Sequence, residues 1–118
     1  MPFRVLIVDD HPSFRASARV VLESEGFEVV GEAVDGASAL HECCRLQPEV
    51  VLLDVQLPDI DGFDVCEQIT AHAEHPTVIM TSSRDGSDFG ALVTTSGACG
   101  FVPKAELSGE RVQELLRS

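Results

Sequence analysis

Short apolar runs alternate along the chain with longer stretches in which apolar residues recur at helical spacing. A short apolar run that ends on a polar residue predicts a strand buried on both faces, as in a parallel sheet. Such runs occupy residues 3–8, 50–54 and 77–80, and a shorter one lies at 97–102. Residues 27–33 are more polar and alternate in character, which predicts an edge strand. The pattern therefore predicts five strands.

Each predicted strand is followed by a stretch with apolar residues every three or four positions, the spacing of one helix face. These stretches are 12–25, 39–47, 63–73, 89–96 and a last one that contains Val112, Leu115 and Leu116. Pro12 suits the first turn of a helix, and Gly26 and Pro48 mark helix ends. Residues 85–88 would begin the fourth helix, which has few apolar side chains and is therefore predicted to be loosely held.

Five strands that alternate with five helices predict an α/β fold in which helices cover both faces of a parallel sheet. Right-handed crossovers leave few arrangements, and the expected one is a flavodoxin-like, doubly wound (βα)5 sheet with strand order 2-1-3-4-5. No repeat or linker divides the 118 residues, so we expect a single domain over residues 1–118.

Composition and charge narrow the classes of partner. Twenty acidic side chains against eight basic ones give a formal net charge of -12 at pH 7. This charge disfavours direct binding to a nucleic acid and suits a cation or a basic partner surface. No segment has the character of a membrane span or a signal peptide, so we expect a cytoplasmic protein that does not bind membranes.

The four cysteines lack the Cys-x-x-Cys spacing of a metal or redox site. Each lies in or beside an apolar stretch of a predicted element, and we therefore expect all of them to be reduced cysteines in the core. They are Cys43, Cys44, Cys66 and Cys99.

Polar side chains follow the predicted strands at their carboxyl ends, where open α/β sheets collect ligands. They are Asp9, Asp10, Asp54, Thr81 and Lys104, the only lysine of the chain. Three carboxylates in one crevice repel each other, so either a carboxyl pKa rises or a cation lies among them. Hard oxygen donors favour Mg²⁺. An aspartate beside Mg²⁺ can attack a phosphoryl group while a lysine neutralises the transferred oxygens and a threonine hydrogen-bonds one of them.

The chain resembles a two-component response-regulator receiver domain of the CheY-like class over essentially its whole length. The resemblance is carried by Asp9-Asp10, Asp54, Pro58, Asp61-Gly62, Thr81 and the run from Gly97 to Lys104. It implies a phosphoacceptor signalling domain rather than an enzyme, one that assists its own phosphotransfer and autodephosphorylation.

The resemblance also implies a role for the acidic residues. Asp54 would accept a phosphoryl group from a sensor histidine kinase or a phosphotransfer protein. Mg²⁺ would be held by Asp10, Asp54 and the backbone carbonyl of Gln56. Asp9 would act on the metal through water.

A switch is the second implication of the resemblance. Lys104 would pair with the phosphoryl group, Thr81 would move toward it, and Phe101 would turn inward as a coupled aromatic switch. The surface of the fourth helix, fifth strand and fifth helix would change with them. A downstream output domain or protein would read that surface, and a phosphorylation-dependent homodimer is one form that the output could take.

Some residues depart from the common pattern of the family. Ala105 follows Lys104 where many receivers have proline, so the cis peptide of those receivers is not expected by default. Phe101 lacks the hydroxyl of a tyrosine.

Residues 9–12 with Arg15 resemble receivers that are joined to a LuxR-type helix-turn-helix output domain, but no such domain lies in this chain. The chain is expected to be either a stand-alone receiver or an excised one.

Other interpretations compete with a receiver. The run 59–62 imitates a haloacid-dehalogenase phosphatase motif and a calcium loop, but Asp59 follows Pro58 inside a loop, and the later glutamate of a calcium loop is missing. No phosphate loop follows the first strand, which disfavours a flavin-binding module. A receiver-like scaffold that binds partners without phosphorylation remains the alternative. His11 adjoins the acidic residues, although an exposed loop histidine is the simpler interpretation.

Overall fold

The computed structural model describes residues 2–83 and 89–117, and its sheet has the predicted strand order. Five parallel strands lie in the order β2-β1-β3-β4-β5. They are β1 (Arg4–Val8), β2 (Glu28–Ala33), β3 (Val50–Asp54), β4 (Thr77–Ser82) and β5 (Gly100–Pro103). The predicted flavodoxin-like α/β architecture is confirmed, and β2 is an edge strand as its polar pattern indicated.

A helix follows each strand in the described part of the chain. The helices are α1 (Pro12–Ser24), α2 (Gly36–Leu46), α3 (Gly62–Thr70), α4 (Gly90–Thr95) and α5 (Gly109–Arg117). A single 3₁₀ turn, Lys104–Glu106, separates β5 from α5. The predicted start of the fourth helix at residues 85–88 lies outside the described residues. None of the described helices is long and apolar enough to cross a membrane.

The central strand β3 explains why helices cover both faces of the sheet. All five of its residues are buried. Val50 and Leu52 point into a core beneath α1 and α5, whereas Val51 and Leu53 point into a second core beneath α2 and α3. Because side chains alternate across a strand, a continuous apolar run supplies both cores at once.

The strand register brings the functional ends together. Asp54 is the last residue of β3 and pairs with Thr81 of β4. Val8 pairs with Leu53, so that Asp9 leaves β1 beside the end of β3. Ser82 pairs with Pro103, which puts Lys104 at the same edge. These residues therefore lie together at the carboxyl edge of the sheet, as predicted, because the strands are parallel.

The two acids of the 59–62 run cap helices. Asp59 accepts hydrogen bonds from the amides of Gly36 and Ala37 at 2.7 and 3.0 Å, and so satisfies the first turn of α2. Asp61 caps α3 by accepting a hydrogen bond from the Phe63 amide at 2.8 Å. These contacts explain the motif without a phosphatase or calcium site.

Replacement of Asp59 by alanine should lower the melting temperature at neutral pH and leave the acidic residues at the sheet edge in place. The amides of Gly36 and Ala37 hold the pKa of Asp59 below its ordinary value. A lowered carboxyl pKa stabilises the fold above the unfolded-state pKa, and this contribution is lost as pH falls through the folded-state pKa. Melting curves should therefore separate wild type from Asp59→Ala at pH 7 and converge in acid. Glu67→Ala, on the exposed face of α3, is the control. The cap would be ruled out if the difference in melting temperature between wild type and Asp59→Ala were the same at all pH values, or if Glu67→Ala lowered the melting temperature equally.

Two expectations are corrected by the structure. The fifth strand begins at Gly100 rather than at residue 97, because Gly97 has φ +91 and ends α4 in the left-handed region. The cysteine prediction is wrong for Cys44 and Cys99, which are exposed, whereas Cys66 is buried. Cys43 and Cys44 point about 100° apart on α2, and only Cys43 is turned partly toward the core. Cys43 is half-buried.

Helix α4 has the weak attachment that its sequence predicted. None of its residues is fully buried, and Leu92 is half exposed. Phe89, at its N-terminal end, makes the main aromatic contact, with ring centroids 5.8 Å from Phe63 and 5.8 Å from Phe101. Few buried contacts hold this helix to the sheet.

Candidate functional site

Acidic side chains meet at the carboxyl edge of the sheet. One ligand atom from each of Asp9, Asp10, His11 and Asp54 lies within 4.8 Å of the others. Asp9 is completely buried and Asp54 is 3% exposed, whereas Asp10 and His11 face solvent. This set, the acid cluster, includes the three carboxylates that the sequence predicted and adds one imidazole.

Lys104 supplies the countercharge. Its Nζ lies 2.6 Å from Asp9 Oδ2 and 3.2 Å from Asp54 Oδ2, with its side chain 14% exposed. The Phe14 ring of α1 lies beneath this ammonium at 4.7 Å from Nζ to the ring centroid. The direct pairing of Lys104 with Asp9 adds a contact that the family resemblance did not imply.

Asp54 is held through both of its oxygens. Oδ1 accepts a hydrogen bond from the Gln56 amide at 3.1 Å, and Oδ2 faces Lys104. The pKa of Asp54 lies above its ordinary value, mainly because the carboxyl group is buried. The negative charge of Asp9 raises it further, whereas the Gln56 amide and Lys104 lower it without cancelling the rise. The carboxylate is therefore desolvated and only partly neutralised, which favours the approach of a cation.

Lys104 should titrate above the ordinary lysine range. Burial lowers its pKa, but the contacts with Asp9 and Asp54 outweigh burial and raise it overall. The stabilisation by Lys104 is then complete below an unfolded-state pKa of about 10.4 and is lost as pH rises through the higher folded-state pKa. Because the chain has one lysine, NMR of ¹⁵N-lysine-labelled protein reports its Nζ alone. Asp9→Asn should shift this titration down by more than Asp10→Asn does, and equal shifts would contradict the Asp9 pairing.

Thr81 is buried with an unused hydroxyl. The residue has no exposed surface, and its Oγ1 has no hydrogen-bond partner in the part of the chain that the structure describes. A buried hydroxyl without a partner costs free energy, so this atom has capacity for a group that arrives at the site.

Backbone contacts fix the two loops that carry the acids. Arg15 Nη1 donates to the Asp9 carbonyl at 2.8 Å, and its Nε pairs with Glu32 at 2.9 Å. In the loop after β3, the Gly62 amide donates to the Val55 carbonyl at 2.9 Å. The loop after β1 is therefore tied to α1 and β2, and the loop after β3 is closed against the first residue of α3.

Of two further predicted residues, Gln56 contacts the acid cluster through its backbone and Phe101 does not. Gln56 contributes its amide to Asp54 and bridges Asp61 through the backbone. Phe101 is half-buried and contacts Phe89. None of the contacts described for Phe101 joins it to the acids. The peptide bond after Lys104 is trans, since the described residues contain no cis peptide.

Three contacts at the site were not predicted from the sequence. They are the stacking of Phe14 with Lys104, the hydrogen bond from Arg15 to Asp9, and the position of His11 against both acids. The order Asp-Asp-His placed His11 near the acids, but only the loop conformation shows that its ring turns back onto them.

Comparison with known proteins assigns the family. The sequence profile of the response regulator receiver domain matches residues 5–116. The chain belongs to this family. Its solved relatives include the signal receiver domain of the response regulator NarL from Mycobacterium tuberculosis, with a TM-score of 0.87 and 34% identity over 98% of this chain and 94% of that one.

Curated relatives of this receiver domain are longer proteins. A putative transcriptional regulator of Pseudomonas aeruginosa is 37% identical over 103 residues, which is 87% of this chain and 50% of that protein. The DNA-binding response regulator MtrA of Mycolicibacterium smegmatis is 41% identical over 103 residues, 86% of this chain and 43% of that protein. The chain thus spans about half the length, or less, of these relatives.

Receiver domains are signalling modules that are phosphorylated on an aspartate in two-component systems. Some relatives carry an enzymatic name, such as a protein-glutamate methylesterase of Myxococcus xanthus that is 40% identical over 97% of this chain. This chain covers only 34% of that protein. The shared region is therefore the receiver, and the name describes the longer protein.

Proposed function

We propose that residues 1–118 form one receiver domain that accepts a phosphoryl group on Asp54 from a sensor histidine kinase or a phosphotransfer protein. The observation that carries this proposal is the placement of Asp54 at the end of β3, with Lys104 3.2 Å from one carboxylate oxygen and the Gln56 amide 3.1 Å from the other. Asp54 combines this pairing with a buried position and a raised pKa.

The donor set fits Mg²⁺. Asp9, Asp10 and Asp54 bring three carboxylates against one ammonium, so the site has room in its charge balance for a divalent cation. Asp10, Asp54 and the Gln56 carbonyl would hold it, with Asp9 acting through water. The metal would supply electrostatic stabilisation of the transferred phosphoryl oxygens.

The residues of the chain then have distinct tasks in transfer. An Asp54 oxygen attacks the phosphorus of a phosphohistidine, the P–N bond breaks, and the imidazole leaves with its electron pair. Lys104 leaves its pairing with Asp54 to contact a phosphoryl oxygen. Thr81 donates its free hydroxyl to another. The product is an acyl phosphate on Asp54, and the role is that of a phosphoacceptor rather than an enzyme.

A change at the signalling surface would follow from the same contacts. Movement of Thr81 toward the phosphoryl group alters the neighbourhood of Phe101, which packs on Phe89 at the start of α4. Helix α4 has no fully buried side chain, so little packing opposes its displacement. The surface of α4, β5 and α5 would report phosphorylation to an output domain, an output protein or a second copy of the chain. With a net charge of -12, the chain itself would not contact nucleic acid.

Intact mass spectrometry tests the proposal. Wild-type protein incubated with Mg²⁺ and acetyl phosphate should gain the mass of one phosphoryl group, and it should gain none with a chelator. Asp54→Asn should gain none under any condition, because the nucleophile is gone. Failure of folded wild type to form the adduct, with trapping fast enough for a short-lived acyl phosphate, would favour the phosphorylation-independent scaffold.

A further inference from the structure

His11 contacts both acids that precede it. Its Nδ1 lies 3.0 Å from Asp9 Oδ1 and 3.1 Å from Asp10 Oδ1. The side chain is 64% exposed, so the ring covers the solvent side of the acid cluster while the Asp9 carboxylate is buried beneath it. The sequence favoured a plain exposed loop histidine, whereas in the structure the exposed ring also contacts both acids.

The backbone fixes this arrangement. The His11 amide donates to Asp9 Oδ1 at 2.8 Å, which closes a tight turn over residues 9–11. Pro12 follows as the first residue of α1, and the Arg15 amide donates to the His11 carbonyl at 3.1 Å. The imidazole is therefore carried by the rigid start of a helix rather than by a free loop.

The two contact distances match the edges of a metal coordination shell. Two ligand atoms at neighbouring corners of an octahedron, each about 2.1 Å from the ion, are about 3.0 Å apart. His11 Nδ1 stands at this separation from one oxygen of Asp10, a proposed direct ligand, and from one oxygen of Asp9. The ligand atom of Asp54 lies within 4.8 Å of all three, close enough to share an ion with them. The alternative is an ordinary hydrogen bond from Nδ1–H to the carboxylates, which has a similar length.

We propose that His11 is a metal ligand through Nδ1, so that the acid cluster binds imidazole-preferring divalent ions such as Co²⁺ and Ni²⁺ with an extra bond that Mg²⁺ does not use. The inference rests on the proposed metal site, in which Asp10, Asp54 and the Gln56 carbonyl are direct ligands and Asp9 acts through water. Imidazole nitrogen suits first-row transition metals, whereas Mg²⁺ prefers oxygen and keeps several waters. Loss of the ring should therefore weaken the binding of Co²⁺ and Ni²⁺ more than the binding of Mg²⁺.

The test compares metal affinities of wild type, His11→Asn and the matched control His41→Asn, which removes an exposed histidine of α2. Calorimetric titrations with Co²⁺, Ni²⁺ and Mg²⁺ need no phosphodonor. His11→Asn should weaken Co²⁺ and Ni²⁺ binding by about tenfold or more and Mg²⁺ binding by less than about threefold. His41→Asn should change none of them. Comparing variants is essential, because carboxylates alone also bind Co²⁺ and Ni²⁺ more tightly than Mg²⁺.

Direct observation of the nitrogen completes the test. Pulsed EPR of bound Co²⁺, one of the ions for which the bond is proposed, should show a coordinated ¹⁴N in wild type and His41→Asn, and none in His11→Asn or His11→Asp. Equal weakening for all ions, or the absence of a ¹⁴N coupling in folded wild type, would overturn the proposal and leave a hydrogen-bonded histidine. His11→Asp keeps an oxygen donor at this position, so it separates loss of nitrogen from loss of the loop conformation.

The outcome is independent of phosphorylation. A coordinated ¹⁴N in a protein that takes no phosphoryl group would support the role of His11 and defeat the phosphoacceptor proposal. A phosphoryl adduct on Asp54 in a protein without any ¹⁴N coupling would support the phosphoacceptor proposal and defeat the role of His11 as a metal ligand.

Discussion

Replacement of Gly62 by alanine is expected to destabilise the fold by about 3 kcal/mol or more, because no space exists for a methyl group there. A Cβ on Gly62 would overlap the Asp54 carbonyl oxygen and lie 2.7 Å from Val55 Cα. Backbone atoms at the end of a buried central strand cannot move aside as a flexible side chain can. For a domain of this size the expected loss is a fall in melting temperature of about 10 °C or more.

Gly90→Ala is the matched control for this prediction. A Cβ on Gly90, in the first turn of α4, meets no described atom within 4 Å, so this change should be neutral or stabilise the protein by up to about 1 kcal/mol. Thermal or urea unfolding of both variants makes the comparison. Similar stability of Gly62→Ala and wild type would show that the loop after β3 does not pack against Asp54 as the structure has it.

Lys104→Met is expected to destabilise the metal-free protein by about 3 kcal/mol at neutral pH, because buried Asp9 and Asp54 lose their common countercharge. The same change should strengthen the stabilisation by Mg²⁺, since the ammonium no longer competes with a cation for the carboxylates. Phosphorylation of the variant should nevertheless be slower by about a hundredfold, because Lys104 neutralises the transferred oxygens. Melting curves with and without Mg²⁺ measure the first two effects.

Arg111→Met removes the same unit of charge from an exposed pair with Glu114 and provides the control. An exposed ion pair contributes little, so its stability should change by less than about 1 kcal/mol, with no change in the Mg²⁺ effect. If Lys104→Met melted like wild type without metal, or gained no more from Mg²⁺ than wild type does, the internal countercharge would be disproved.

The sheet and the position of the site could be predicted because both depend on strong, regular signals. Apolar runs at 50–54 and 77–80 are too continuous for a half-exposed strand, and helices between strands force parallel pairing. Parallel pairing then places Asp54 and Thr81 together whatever the details of the loops.

The remaining features depend on loop conformation and side-chain direction, which sequence spacing does not specify. The ring of His11 turns back onto the acids only because of the turn at residues 9–11. Phe14 was assigned to the apolar stripe of α1, but it also contacts Lys104, ninety positions away along the sequence. Cys44 was placed in the core from an apolar neighbourhood, although its helix position faces solvent.

Chemical trapping of the phosphorylated residue is the most direct test that Asp54 is the phosphoacceptor. Borohydride reduces an aspartyl phosphate to homoserine, which tandem mass spectrometry of peptides then locates. After incubation with Mg²⁺ and acetyl phosphate, we expect homoserine at position 54 and aspartate still at positions 9 and 10. Homoserine at Asp9 or Asp10, or at none of the three in protein shown to be folded, would contradict the assignment of Asp54 as the phosphoacceptor.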